Sequence, residues 1–189
     1  AAQRLAQASG LPALEIARHR FPDGELKLTL PVDASGLLPE RAVLLRSLHQ
    51  PNDKLIELLL AARAARGLGV QHLTLVAPYL AYMRQDIAFH PGEAVGQRIV
   101  GPFLASLFDA VVTVDPHLHR VATLQEAVPA AHTVVLSGAP LPVTNTNPSA
   151  LRQPGPIFSR SSSCRRRATP SASTTSGAKG TLTYYTGYG

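Results

Sequence analysis

The stretch "PNDKLIELLLAARAARGLGVQHLTLVAP", residues 51–78, changes its periodicity halfway along. Leu55, Leu58, Leu59 and Ala62 recur at helical spacing over residues 51–67. Asn52 or Asp53 can cap the start and Gly67 ends the pattern. "HLTLVAP" (72–78) is then a short apolar run closed by proline, as expected of a buried strand. A helix feeding a buried strand is most of a βαβ unit, and the apolar run "AVLLRSL" (42–48) supplies the strand before it.

Working outward, the alternation continues in both directions. "ALEIARHRF" (13–21) and "ELKLTLPV" (25–32) read as extended. "GEAVGQRIVGPFLASLF" (92–108) has helical spacing at Val95, Ile99, Phe103 and Leu107; Gly96, Gly101 and Pro102 weaken that helix, and the proline should kink it. "AVVTVD" (110–115) and "HTVVL" (132–136) are further buried strands. Strands alternating with helices predict an α/β fold, doubly wound, with a mostly parallel sheet. Ligands of such sheets sit beyond the carboxyl ends of the strands. Tyr79 to Glu93 leave one strand end, and Asp115, His117 and His119 leave another. If both strands share a sheet, the two polar groups emerge at one edge. Taken singly, each group also reads as solvated turn residues.

The formal net charge is +6. Residues 1–150 carry twelve cationic and twelve acidic side chains, whereas residues 151–189 carry six cations and no acid. A basic tail binds polyanions without specificity and says nothing about the neutral body. Few aromatics lie among its arginines, so no specific nucleic-acid partner is expected. No run of about 18 apolar residues is present, so no membrane partner is expected either. The start "AAQRLAQASG" has no signal-peptide core, and the single Cys164 fits a reducing, cytoplasmic compartment. Residues 1–136 read as one domain. Residues 137–189 read as a low-complexity basic tail: Ser, Thr, Gly and Pro fill 21 of the last 39 positions, leaving too little apolar surface to offset ordering. The tail is expected to be disordered, and is either out-of-frame translation, an unrelated fusion or a natural extension.

Four stretches stand together in order: "RFPDGE" (20–25), "YMRQD" (82–86), "PGEAVGQR" (91–98) and "VTVDPHLH" (112–119). Jointly they resemble the N-terminal half of ribose-phosphate pyrophosphokinase, over about residues 1–136. The resemblance implies a fold of phosphoribosyltransferase type. It implies transfer of the diphosphoryl group of MgATP to the C1 hydroxyl of ribose 5-phosphate, giving AMP and phosphoribosyl pyrophosphate for nucleotide biosynthesis. It implies Mg²⁺ as cofactor, ATP and ribose 5-phosphate as partners, and a homo-oligomer with shared sites.

Carried over by residue, the resemblance implies that Phe21 stacks on adenine while Asp23 and Glu25 accept hydrogen bonds from it, across a subunit interface. Arg84 grips phosphate oxygens, a task suited to a guanidinium fork. Gln85 also contacts the nucleotide, and Asp86 holds the arginine or the ribose. His117 ligates Mg²⁺ or a water on it, with Asp115 in support. Read without the resemblance, Phe21 is a core residue at a strand end and Asp23-Gly24 a turn pair. His119, His72 and His132 are then structural or solvated, and Tyr79, Tyr82 and Met83 are packing residues. The family has a strand ahead of its first helix and a second domain with a catalytic Lys and Arg and a "TGGT" loop after an acidic pair. Neither is evident here, and "TTSGAKGT" (174–181) is a chance likeness to that loop. No catalytic residue is therefore expected in this chain. The expectation is an inactive N-terminal half that binds MgATP, or a noncatalytic regulatory or oligomerisation subunit of the same family.

Overall fold

The computed structural model describes residues 2–137 and the backbone strand 181–185. Chain order begins with α1 (Ala2–Ser9), β1 (Ala13–Glu15), β2 (Ala17–Arg20), β3 (Leu26–Thr29), β4 (Arg41–Leu45), α2 (Pro51–Gly67) and β5 (His72–Ala77). It continues with α3 (Gly96–Leu107), β6 (Ala110–Val114), α4 (Leu124–Ala127), β7 (His132–Leu136) and β8 (Thr181–Tyr185). Six strands form one sheet in the order β1-β8-β4-β5-β6-β7, and all of its ladders are parallel. This is the α/β, mostly parallel architecture that the sequence predicts.

Residues 13–21 do not form one strand. β1 belongs to the large sheet, while β2 pairs with β3 as a separate antiparallel hairpin. Ile16 sits between them at 1% exposure, so the chain turns from one sheet to the other around a buried side chain.

The sheet is sealed unequally. Leu73, Leu75 and Ala77 of β5 and Val111 and Thr113 of β6 are buried, whereas Thr74, Val76, Val112 and Val114, which point the other way, are only half-buried. α2 turns Leu58, Ala61, Ala62 and Ala65 into the core, and the charged Lys54 and Glu57 with them. Neither Asn52 nor Asp53 caps that helix. Gln50 is its N-cap, in a left-handed conformation without a side-chain cap bond, and Pro51 opens the helix.

The buried face of α3 is offset from the stripe expected at Val95, Ile99, Phe103 and Leu107. Gln97, Val100, Gly101, Leu104 and Leu107 are buried, and Ile99 is 59% exposed. Gly101 explains the rotation: a Cβ there would lie 1.7 Å from the Ala127 carbonyl oxygen, so its hydrogen lets α3 and α4 meet backbone to backbone. Thr123 caps α4, and Glu126 reaches back one residue beyond it. Glu126 N–H donates to Thr123 Oγ1 at 3.3 Å, and Ala122 N–H donates to Glu126 Oε2 at 3.3 Å.

Within the stretch read from sequence as a tail, residues 181–185 form β8 between β1 and β4. The rest of that tail from Gly138 on, with most of "TTSGAKGT", lies outside the described residues. Among the described residues no helix is long and apolar enough to cross a membrane.

Candidate functional site

β5 and β6 are neighbours, paired from Thr74↔Ala110 to Ala77↔Thr113. Their carboxyl ends therefore open side by side, and a cavity of about 410 Å³ lies there. Tyr79, Leu80 and Arg84 line it from the β5 end, and Val114 to His119 line it from the β6 end. That volume is in the range of small-molecule sites. Two non-glycine residues near these strand ends have positive φ, Tyr82 at 62° and Asp115 at 38°. Such backbone persists where surrounding structure over-determines it, often at ligand sites.

Arg84 is exposed, and no carboxylate among the described residues pairs with it. Asp86 does hold an arginine, but it is Arg120 rather than Arg84: Arg120 Nε donates to Asp86 Oδ1 at 3.3 Å, with Asp86 9% exposed. Gln85 accepts the Gln97 N–H through its backbone carbonyl at 3.0 Å. Its side chain leans over the first residue of α3: a Cβ on Gly96 would stand 2.8 Å from Gln85 Oε1 and 3.0 Å from Tyr82 Cδ1. His117 is half-buried and its ring lies 3.9 Å, centroid to centroid, from that of exposed His119. Asp115 is exposed at the same mouth, and its N–H donates to the Leu136 carbonyl at 3.0 Å.

The loop that follows ties itself down. Glu93 accepts from the Phe89 N–H and meets His90 Nδ1, both at 2.7 Å. The His90 contact, then the backbone N–H groups of Phe89 and His90, hold its carboxyl below the usual range.

Phe21, Asp23 and Glu25 do not line this cavity. They occupy the β2–β3 turn, where Phe21 is 39% exposed and meets His19 edge to face at 4.8 Å. Asp23 Oδ1 accepts the Glu25 N–H at 3.1 Å, and Gly24 takes φ 96° to close the turn. The turn lies beside a second cavity of about 500 Å³ at the carboxyl end of β4, lined by Arg18, Arg20, Arg46, Lys54, Asp53 and Glu57 among others. Carboxylates hold its arginines: Arg18 and Arg46 both donate to Glu57, and Arg20 Nη2 lies 2.5 Å from Asp53. Burial, then the Arg46 charge, push the Lys54 amine below its usual range, and Glu57 opposes them.

The structure thus brings Arg84, Asp115 and His117 to one cavity, whereas Gln85, Asp86, Phe21, Asp23 and Glu25 are not among the residues that line it. Arg120 and His119 were not assigned a role from sequence. Arg120 is the sole cation between Arg98 and Arg152, a signal that an acidic partner was to be sought.

Comparison with known proteins bears on the same segment. A family profile for the N-terminal domain of ribose phosphate pyrophosphokinase matches residues 1–107. A ribose-phosphate pyrophosphokinase of Halobacterium salinarum is 38% identical over 149 residues, which cover 78% of this chain and 51% of that protein. One of Saccharolobus solfataricus is 36% identical over 117 residues, covering 61% of this chain and 39% of that protein. The crystal structure of phosphoribosylpyrophosphate synthetase from Mycobacterium smegmatis has the same fold, with TM-score 0.60 at 21% identity over 71% of this chain and 44% of that one. The chain spans about half the length of the first of these relatives.

Proposed function

From the premise that this chain belongs to the ribose-phosphate pyrophosphokinase family, through its N-terminal domain, we propose that it supplies the ATP-binding half of a ribose-phosphate diphosphokinase. The reaction is transfer of a diphosphoryl group from MgATP to the C1 hydroxyl of ribose 5-phosphate. The observation that carries this reading is the cavity where β5 and β6 end, lined by Asp115, His117 and Arg84, which no carboxylate among the described residues pairs with.

Phosphoryl-type transfer needs positioning and charge neutralisation more than covalent help. Arg84 offers a fork of donors to phosphate oxygens. Asp86, held by Arg120, steadies the loop after β5 from which Arg84 projects. Gln85, packed over Gly96, ties the same loop to the start of α3. Among the described residues no three His, Cys, Asp or Glu side chains come together as a metal cage. Asp115 and His117 alone fit a cation that arrives with the phosphates and keeps its waters. Such a cation, when bound, neutralises phosphate charge. Phe21, Asp23 and Glu25, out of the cavity on an exposed turn, fit the base of a nucleotide held by a neighbouring copy.

Calorimetric titration with MgATP tests the site. The chain is expected to bind, and Arg84→Ala to weaken binding at least tenfold, the size of a charge-assisted bond of about 1.5–3 kcal/mol, with an unchanged melting temperature. Equal affinity of the variant and the parent chain would sink the reading. A second reading is a noncatalytic partner of an active relative; co-elution with a full-length enzyme, without product formation by this chain alone, supports that version.

A further inference from the structure

Arg84 stands midway between two fastened residues. Tyr82 and Asp86 lie two positions to either side of it, and each bonds to a different element. The Tyr82 hydroxyl donates to Asn52 Oδ1 at 2.5 Å, in the first turn of α2. Asp86 Oδ1 accepts from Arg120 Nε at 3.3 Å, on the loop that follows β6. These contacts span 30 and 34 residues of sequence. β5 lies between β4, which leads into α2, and β6. The loop after β5 is therefore tied to α2 on one side and to the loop carrying His117 on the other.

The backbone between the ties is held closely. Leu80, Ala81 and Met83 are buried in the core, whereas Arg84 is exposed and lines the cavity. Tyr82 sits at φ 62°, a left-handed backbone that an aromatic residue rarely adopts. Such a conformation persists only where its surroundings hold it. The bond to Asn52 is one hold, and the packing of Tyr82 against Gly96 is another. Asn52 does not cap α2, although its place at the helix start suits it to do so. Asp86 is the one ion-pair partner of Arg120 among the described residues. Neither Asn52 nor Arg120 lines the cavity.

We propose that Asn52 and Arg120 are positioning residues, which hold Arg84 at the cavity through Tyr82 and Asp86. The inference rests on the reading that Arg84 grips phosphate oxygens. A long cationic side chain and its backbone lose freedom when they close on an anion. Fixing the backbone on both sides of Arg84 removes part of that loss before the ligand arrives. The ties come from different elements, so neither replaces the other.

Two readouts on the full chain test this. The first is trypsin cleavage after Arg84, identified by mass, which needs a locally opened backbone. Asn52→Ala and Arg120→Ala should each speed it about fivefold or more, with cleavage after Arg63 in α2 unchanged. Arg120→Lys should restore most of the resistance. The second is titration with MgATP. Each alanine variant should bind about threefold or more weakly, the size of one lost hydrogen bond. In an Arg84→Ala background neither should weaken binding further, because both act through Arg84. Losses that add to that of Arg84→Ala would mean direct contact with the nucleotide, and would overturn the proposal. Cleavage after Arg84 as slow in both alanine variants as in the parent chain would overturn it too. A parent chain that does not bind MgATP sinks the nucleotide reading and not the ties, and the cleavage rates then decide the proposal. Should Arg120→Ala unfold, Asn52→Ala, at an exposed side chain, still decides it.

Discussion

At the scale of single residues, the positions that carry charge sort by what they face. Glu57 is 1% exposed and takes one guanidinium on each oxygen, Arg18 at 2.6 Å and Arg46 beside it. Arg46 is itself 5% exposed, so the carboxylate neutralises a buried cation. Removing one partner of a buried pair typically costs about 3–5 kcal/mol, because the other charge stays behind. Glu57→Gln should lower stability by that order in urea unfolding, and a loss under 1 kcal/mol would mean that the cluster is solvated. Arg84, by contrast, lines a cavity, and no carboxylate among the described residues pairs with it. The sequence displayed Arg84 and Asp86 together but not their separation. On the turning backbone after β5, side chains two apart need not share a face, and the partner of Asp86 lies 34 residues on. Glu57 was equally hidden, since a helical carboxylate reads as solvated until two arginines from other elements are seen to converge on it.

At the scale of elements, local pattern located most strands and helices but not their inward faces. In α3 the apolar period suggested Ile99 as a core residue, whereas close approach at Gly101 turns that side outward. A glycine that looked like a weakness is the point of contact. The seam between α2, β5 and the turn before β6 depends on Asp109. Its carboxylate accepts the Leu73 N–H at 2.6 Å and Arg66 Nη2 at 2.8 Å. Burial raises its pKa, but the Leu73 N–H and the Arg66 charge outweigh that and hold the group below the ordinary aspartate value. A carboxyl lowered in the folded state binds fewer protons there than in the unfolded chain. Its stabilisation is therefore present above the unfolded pKa of about 4 and is lost as pH falls through the folded one. Asp109→Asn should be less stable than the parent chain at pH 7, and the gap between their urea midpoints should shrink below about pH 4. A gap independent of pH would assign the loss to shape rather than charge.

At the scale of the whole molecule, the parallel sheet was legible because each βαβ step is local. β4, β5, β6 and β7 follow one another in space as in sequence. β8 was not legible: five β-favouring residues amid a Ser- and Gly-rich tail carry no marker of a partner more than a hundred positions away. At the other side of the sheet, β7 pairs only with β6 among the described residues, and Val134, Val135 and Leu136 are 47%, 46% and 50% exposed. An apolar edge with open backbone groups invites pairing with a second chain. A charge on an edge strand opposes that without touching the core, so Val135→Lys should slow concentration-dependent light scattering several-fold. MgATP affinity should be unchanged, since Val135 is not among the residues that line the cavity. Scattering unchanged by the lysine would place the association elsewhere. The exposed Ile56 and Leu60 on α2, beside the β2–β3 turn, would then be the next surface to vary. That outcome would also bear on assembly, because the turn carrying Phe21, Asp23 and Glu25 would then lie at a contact between copies.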